Sequence, residues 1–483
     1  MYHSEPPLRL KAGDLEAIEE CPASAGPGSK LPRAALDRWL AVRYALEEAL
    51  SNGGDVDAAV GSNAGWLDPV QRELVTGLVA SGVILLGTSD AEVLFDPDDN
   101  VVVVDHPELN VELASYLQID VTDPHDPGKL ERFKIKTGKQ GTSDAEAAIL
   151  LSGSDTGVGF ADLMLRDGTI EPIELTDAER EKELERLHDL AGRERNLKDR
   201  RPGWQCYRCD RVARCGQYPA PDGYKVGTRQ RTIRVSKSDV VRLDACHRRI
   251  AWKVLHVIPS DAGDEVGPAA AVGLLFHEAI ANILVAEDRE AAFAAELDRV
   301  SRDDRDVLET LFERHKQIEA DHVPVQYKLT EYPVGATFIL PGLDADRDGN
   351  VSDGAAVAVT AIARTDAVGR ELDDTPAVIE HRTGKTSDRI DERETALYAV
   401  SVARLLGAEA VAVHQHSLGG DGDPECIRIL YDEDALTEAE QLLASVLEPI
   451  ATWHPLDATD PAYTVGEWCT GCPYQERCER FRS

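Results

Sequence analysis

The chain has 483 residues, enough for two or three domains with sizeable cores. It carries 88 acidic and 52 basic residues, a formal net charge of −36, and 42% of its residues are hydrophobic. That excludes a broadly disordered chain, and it confines any nucleic-acid contact to a local basic patch. No apolar run approaches the roughly 18 residues of a membrane span. The start, MYHSEPPLRL, has no basic segment leading into an apolar one. The expectation is a cytoplasmic protein with no membrane partner. Arg outnumbers Lys 38 to 14, and an acidic, Lys-poor surface suits halophilic cytoplasm, where carboxylates keep a protein hydrated. Thiols stay reduced there, so nine cysteines need a reason other than disulfides.

In chain order, LRLKAGDLEAIEEC (Leu8 to Cys21) ends on a lone cysteine. ALDRWLAVRYALEEAL (Ala35 to Leu50) has helical apolar spacing and carries Arg43. SYLQIDV offers Asp120, and FKIKTGK offers Lys134 and Lys136. The stretch Arg193 to Ser238 then holds 13 basic and 4 acidic residues, with Trp204, Tyr207 and Tyr218 interleaved. Such a mixture can neutralise phosphate and stack bases, which makes Arg229, Arg231, Arg234 and Lys237 candidate nucleic-acid contacts. The same stretch contains CYRCDRVARC, a C-x2-C-x5-C run of Cys206, Cys209 and Cys215.

The second half repeats these signals. IRVSKSDVVRLDAC (Ile233 to Cys246) lies over Leu8 to Cys21 at an offset of 225 without a gap, with Asp239 on Asp14. VGLLFHEAIANIL (Val272 to Leu284) reads as a helix bearing His277. LDADRDGNVSDG (Leu343 to Gly354) has EF-hand-like acids but Ala355 at the twelfth position, so an acidic hairpin turn is expected. AVAVTAIARTDAV alternates as a strand ending near Asp366, and AVIEHRTGK is a short strand with Glu380 and Arg382 on one face. ERETALYAVSVARLLG (Glu392 to Gly407) is an amphipathic helix with Glu394 and Tyr398. His414 and His416 alternate on a further strand, and CTGCPYQERC repeats the C-x2-C-x5-C run at Cys469, Cys472 and Cys478. Cys426 has no counterpart and reads as a lone core cysteine.

The order lone Cys, x-x-TGK, Cys triplet thus occurs twice, which a tandem duplication explains most simply. The expected copies are residues 1–220 and 221–483, joined by the Pro- and Gly-rich YPAPDGYKVGTRQR. Four thiolates hold either zinc or an iron–sulfur cluster. Here one ligand precedes the other three by 185 or 223 residues, so the set would staple the start of each copy to its end and close a very long loop. An imidazole with two carboxylates, as in His277, Asp366 and Glu380, suits a hard divalent cation that polarises phosphate and activates water.

Taken together, G-x-x-x-H, Asp, E-x-R-T-G-K, E-x-x-x-Y and the cysteine staple resemble the RecB-like branch of the PD-(D/E)XK nucleases. The form is the iron-staple one of AddB-type helicase–nuclease subunits and CRISPR-associated RecB-like exonucleases. The resemblance covers most of the second half. It implies an α/β fold of two tandem restriction-endonuclease-like domains, each a small mixed sheet flanked by helices and closed by a four-cysteine site. It implies Mg or Mn on His277, Asp366 and Glu380, with Arg382 at the family's catalytic Lys and Glu394 and Tyr398 at its Q-x-x-x-Y helix. It implies two 4Fe–4S clusters, with zinc the alternative, on Cys21, Cys206, Cys209 and Cys215 and on Cys246, Cys469, Cys472 and Cys478. The function implied is metal-dependent DNA cleavage at ends or single strands, in DNA repair or processing and in company with a helicase subunit. Arg382 cannot give up its proton, which leaves a non-catalytic DNA-binding or assembly subunit as the second reading. The first copy, with Arg43 near the place of the His and Lys134 at the place of the acid, is expected to be a degenerate nuclease domain that keeps only its staple.

Overall fold

The computed structural model describes residues 8–21, 33–87, 92–96, 100–106, 108, 110–123, 126–154, 158–192, 200–207, 209, 211–227, 230–256, 268–345, 351–384, 391–420, 422–454, 457, 459, 461–470 and 472–478. Two compact units divide the chain. The first comprises Met1–Arg201 with Leu255–Pro259 and Leu456–Asp460, and the second comprises Pro202–Val254, Ser260–Pro455 and Pro461–Ser483. Cys21 therefore belongs to the first unit, and Cys206, Cys209 and Cys215 belong to the second.

The first unit runs β1 (Leu8–Lys11), α1 (Ala12–Glu20), α2 (Arg33–Ser51), α3 (Val56–Ala64), α4 (Pro69–Leu86), β2 (Glu92–Phe95), β3 (Val101–Asp105), β4 (Val111–Tyr116), β5 (Ile119–Asp123), β6 (Asp126–Lys136), α5 (Asp144–Ser152), β7 (Val158–Met164), β8 (Thr169–Pro172) and α6 (Asp177–Gly192). Its strands form two mixed sheets, of order β1-β4-β3 and β2-β5-β6-β7-β8. Among the described residues α4 is the one helix long and apolar enough to cross a membrane by length and composition, which the sequence reading had not singled out; its mean hydropathy is 1.3. Its apolar side is used in the core, where Leu74, Val75, Leu78 and Val79 pack with Leu46 of α2 and Phe133 of β6. Asp68 caps it by accepting from the backbone N–H groups of Val70 and Gln71, and Pro69 fits the first turn, where its missing N–H is no loss.

The second unit runs β9 (Thr232–Ser236), α7 (Lys237–Arg242), α8 (His247–Val254), α9 (Pro268–Leu284), α10 (Arg289–Arg299), α11 (Arg302–Asp321), β10 (Val325–Ala345), β11 (Val351–Glu371), β12 (Pro376–Arg382), α12 (Glu392–Leu406), β13 (Val411–Ser417), β14 (Glu425–Tyr431) and α13 (Glu433–Thr452). One six-stranded mixed sheet has the order β10-β11-β12-β13-β14, with β9 parallel to the first half of β11. β12 and β13 lie parallel, joined by α12, and are buried almost throughout. That is why both read as continuous apolar runs, as strands covered on both faces do. Ala377, Ile379 and Ala412 face Phe276, Ile280 and Ile283 of α9 and Leu308 and Phe312 of α11. Alternation turns the even-numbered side chains of β12 to the opposite face, toward α12. Asp391 caps α12, and Gly407 ends it with a left-handed φ of 64°, a conformation that suits glycine. The β10–β11 hairpin extends to Ala345↔Val351; the acidic turn itself, residues 346–350, lies outside the described residues.

The pairing senses of the two units correspond strand for strand. In the second unit β9 runs parallel to the first half of β11, which also pairs antiparallel with the second half of β10. In the first unit β1 runs parallel to β4, which pairs antiparallel with β3. The second half of β11 pairs antiparallel with the first half of β10 and with β12, as β5 does with β2 and β6. Then β12∥β13 and the β13–β14 hairpin answer to β6∥β7 and β7–β8. The long hairpin of the second unit is broken in the first, which yields two sheets. The Asp14 and Asp239 carboxylates occupy like places, accepting from the Lys11 N–H at 3.2 Å and the Ser236 N–H at 2.9 Å.

Glu371 at the end of β11 ties the far strands together. It accepts from Arg428 of β14 twice at 2.7 Å and lies 2.7 Å from His414 Nε2 of β13. Arg428 first, then His414, hold its carboxyl below the usual range, against burial. A depressed carboxylate contributes stability above its unfolded value, which is lost as pH falls through the folded value. Glu371→Gln should therefore destabilise the protein at pH 7, and the gap to wild type should narrow in urea titrations below about pH 4.5.

Candidate metal and phosphate site

The site forms where β11 and β12 part. Their ladder is registered up to Ala367↔Ile379, and beyond it the Asp366 carboxylate takes the place of a backbone acceptor. Its Oδ2 accepts the N–H of His381, so the chain gains a carboxylate at the strand end without leaving that buried N–H unpaired. Glu380 follows on β12. Both carboxylates are buried, Asp366 to 7% exposure and Glu380 to 5%.

Two side chains donate to Glu380, and Glu394 and Arg382 extend the network. Lys237 Nζ, at the start of α7, donates to Oε1 at 2.9 Å, and the Tyr398 hydroxyl of α12 donates to Oε2 at 2.6 Å. Lys237 Nζ also lies 2.6 Å from the Tyr398 hydroxyl and 2.7 Å from Glu394 Oε1. Arg382 donates to Glu394 Oε2 at 2.7 Å. Glu380 and Arg382 thus share the α12 face, as their i, i+2 spacing requires. Burial and the neighbouring Asp366 push the Glu380 carboxyl up to about 7, against the pull of Lys237. Burial alone would lower the Lys237 ammonium, but the charges of Glu380 and Glu394 push it up to about 12.

On the other side of Asp366 stands His277 of α9, its Nδ1 2.8 Å from Asp366 Oδ1. That nitrogen is buried, and it lacks the alignment of a hydrogen bond. Burial raises the Asp366 carboxyl, and His277 and His381 outweigh it, holding the group well below its usual range. Burial also pushes the His381 ring down to about 4. Burial lowers the pKa of the His277 ring, and Asp366 outweighs it and raises the ring; a divalent cation can take the place of a proton between the two. His277, Asp366 and His381 each bring a ligand atom within 4.8 Å of the others; Glu380, whose oxygens accept from Lys237 and Tyr398, lies outside that group. The carboxylate oxygens of Asp366 and Glu380 are of the kind that suits Mg or Mn.

The basic stretch is arranged otherwise than a phosphate-facing patch. Arg231 is half-buried and donates to the carbonyls of Leu343, Ala451 and Trp453. Arg234 donates to the carbonyl of Cys209 at 2.8 Å, and Tyr218 is 1% exposed in the core beside Cys206 and Ile362. Arg229 lies outside the described residues. Lys237 turns into the site. The sequence marks it as a candidate nucleic-acid contact, and the signal that sets it apart is its place directly after the cap Ser236, which orients the first turn of α7.

The cysteines are all free thiols. Cys246 and Cys469 are close enough to raise the Cys472 thiol, after burial, which is the larger cause. Arg248 of α8 donates to the Pro461 carbonyl at 2.8 Å, and the Trp252 and Tyr474 rings meet edge to face at 5.5 Å. These contacts hold the last Cys triplet against the helices that follow Ser236. Among the described residues no three cysteine sulfurs lie within 4.8 Å of one another.

In the first unit the corresponding strand carries an inverted charge. Lys134 is buried; its Nζ donates to the Tyr116 carbonyl at 2.8 Å and to Glu146 of α5. Glu146 sits at the third position of α5, as Glu394 does in α12. Lys136 pairs with Asp162 at 3.7 Å, Asp120 with Arg132 at 3.5 Å, and Arg43 with Asp96. An ammonium stands where the second unit has Glu380, so this pocket repels a cation.

Residues 234–479 match the PD-(D/E)XK nuclease superfamily, a span of half the chain. Among solved structures, a candidate exonuclease from Eubacterium rectale is 11% identical with a TM-score of 0.31 over 49% of this chain and 86% of its own. The protein SSO0001 is 13% identical with a TM-score of 0.22 over 51% and 85%. No curated protein matches the chain.

Lys237 neutralises two buried carboxylates, and removing one partner of a buried pair costs about 3–5 kcal/mol. Lys237→Met should lower stability by about 3 kcal/mol in chelator, measured by urea denaturation, and Mg or Mn should restore part of the loss.

Proposed function

This chain belongs to the PD-(D/E)XK nuclease superfamily, and we propose that its second unit is a metal-dependent deoxyribonuclease acting at DNA ends or on single strands, of the RecB-like, iron-staple type. The observation that carries the proposal is a pair of buried carboxylates where the β11–β12 ladder ends, Asp366 with His277 Nδ1 2.8 Å away and Glu380 between Lys237 and Tyr398. These three would hold Mg or Mn, which supplies Lewis-acid polarisation of the phosphate and a bound water of lowered pKa.

The chain's own residues do the rest. Glu380, its carboxyl pushed up to about 7 by burial and Asp366, would release a proton to solvent if it held a cation. Lys237 supplies the amine that Arg382 replaces at the family's usual place. With its pKa pushed up it acts as a fixed positive charge, stabilising the phosphorane-like transition state. Arg382 is held by Glu394, and it presents its fork toward phosphate without exchanging a proton. Tyr398 orients Glu380.

We read the chain as a tandem duplication whose first copy, about residues 1–220, is degenerate; the matching strand pairings and the Lys134–Glu146 inversion support this. Each copy is proposed to carry a 4Fe–4S cluster, on Cys21, Cys206, Cys209 and Cys215 and on Cys246, Cys469, Cys472 and Cys478, with zinc as the alternative. A role in DNA repair beside a helicase completes the reading. One observation favours the second reading, a non-catalytic DNA-binding subunit: both Glu380 oxygens already have donors in Lys237 and Tyr398.

End-labelled single- and double-stranded DNA, incubated with anaerobically purified protein in high KCl with Mg or Mn, separates the two. Cleavage that Glu380→Ala abolishes and Lys237→Met lowers by at least about tenfold, equivalent to about 1.4 kcal/mol of transition-state stabilisation, is the expected result. DNA binding without cleavage establishes the non-catalytic subunit. Iron analysis of the same preparation should find iron and a brown cluster absorption; colourless protein with stoichiometric zinc sinks the cluster assignment.

A further inference from the structure

Behind the carboxylate site, on the opposite face of β12, three imidazoles meet in the core. His315 comes from α11, His381 from β12 and His416 from β13, and they are 0%, 2% and 3% exposed. His381 and His416 are direct partners in the parallel β12–β13 register, so their rings stand side by side. The ring centroids lie 5.1 Å (His315–His381), 5.5 Å (His315–His416) and 5.3 Å (His381–His416) apart. One ring nitrogen of each lies within 4.8 Å of the others.

This is an unusual use of a core. Both nitrogens of His315, both of His381 and Nδ1 of His416 are buried without a hydrogen-bond partner, whereas buried polar atoms are nearly always paired. Carboxylates stand behind two of the rings. His315 Nε2 lies 3.6 Å from Glu319 Oε2, and His381 Nδ1 lies 3.3 Å from Asp366 Oδ2. A carboxylate behind an imidazole is the arrangement that orients metal-ligating histidines and offsets the charge of the ion. It leaves His315 Nδ1, His381 Nε2 and His416 Nδ1 as the three nitrogens with nothing else to bond. Phe276, Phe312 and Tyr327 border the group, an apolar wall that disfavours bulk water as the missing partner. The neighbouring His414 is already satisfied by Glu371.

We propose that His315, His381 and His416 bind one first-row divalent transition-metal ion, with zinc the preferred occupant, at a site separate from the one that holds Mg or Mn. Neutral imidazole favours zinc over the hard cations, which choose oxygen. The ion would clamp α11, β12 and β13 to one another at the residue next to Glu380. Because the His381 N–H also holds Asp366, the metal would act as a positioning element for both carboxylates without touching substrate. The inference concerns metal content, so it stands or falls independently of whether the protein cleaves DNA.

Full-length protein is treated with chelator, reloaded with zinc, dialysed, and assayed for bound zinc and melting temperature. The comparison is with His416→Gln and with His315→Phe; the latter keeps a planar ring beside Phe312 and removes the donors, guarding against a variant that fails to fold. The cysteines are unchanged in all three proteins, so any zinc they take is common to all. Wild type is expected to hold one equivalent more zinc than either variant and to show a zinc-dependent rise in melting temperature that both variants lose. Equal zinc content in wild type and in His315→Phe overturns the proposal, as does a wild-type melting temperature that zinc does not move.

Discussion

The second unit is organised around a carboxylate that the fold buries and then surrounds. A carboxylate taken from water is stable only with partners or with a proton. Glu380 has the first in Lys237 and Tyr398 and is pushed halfway toward the second. The elements that supply its surroundings are otherwise unrelated: the first residue of α7, the second turn of α12 and, through Asp366, the second half of β11. Their convergence requires β11 and β12 to separate at that level. The Asp366 carboxylate makes the separation affordable, since it accepts the His381 N–H that the ladder gives up.

The same need explains why the two units differ in chemistry while sharing their strand pairings. In the first unit the buried charge at the corresponding strand position is an ammonium, and the helix that crosses over it answers with Glu146. In the second the strand bears the acid and α12 keeps Glu394, so an extra cation is required, which Lys237 provides. A single reversal of sign on the strand thus changes which element must supply the balancing charge, α5 in the first unit and α7 in the second. Burial of Lys134 lowers its pKa, and Glu146 opposes that shift without cancelling it, so the pair joins β6 to α5.

How much of this sequence could tell follows from the range over which each signal acts. The helices α9 and α12 and the strands β12 and β13 were legible, because apolar periodicity and continuous apolar runs are local consequences of burial. The i, i+2 relation of Glu380 and Arg382 is likewise local, and both side chains reach α12. The role of Lys237 was not legible. Its partner lies 143 residues away, and within its own neighbourhood it is one cation among many. Arg231 and Arg234 looked alike for the same reason, yet each is turned onto backbone carbonyls that no local pattern announces. The breaking of one long hairpin into β2, β3, β4 and β5 also lay beyond periodicity, which gives strands but not where a sheet divides.

His381 and His416 show the limit most clearly. In sequence His381 is the unspecified residue between an acid and a cation, and His416 is one of two alternating histidines that a partly exposed strand face would explain. Alternation does place His381 on the face opposite Glu380, but whether that face meets water, an apolar helix or other imidazoles depends on which strand lies alongside. The parallel β12–β13 pairing sets His381 beside His416, and α11 adds His315 above them. One strand position therefore presents a carboxylate to the α12 face and, at the next residue, an imidazole to the α11 face. The backbone N–H of that residue meets Asp366 between them. The His381 ring also lies against that carboxylate, Nδ1 3.3 Å from Oδ2, so the packing of the buried histidine side reaches the carboxylates through both the backbone and the ring of one residue.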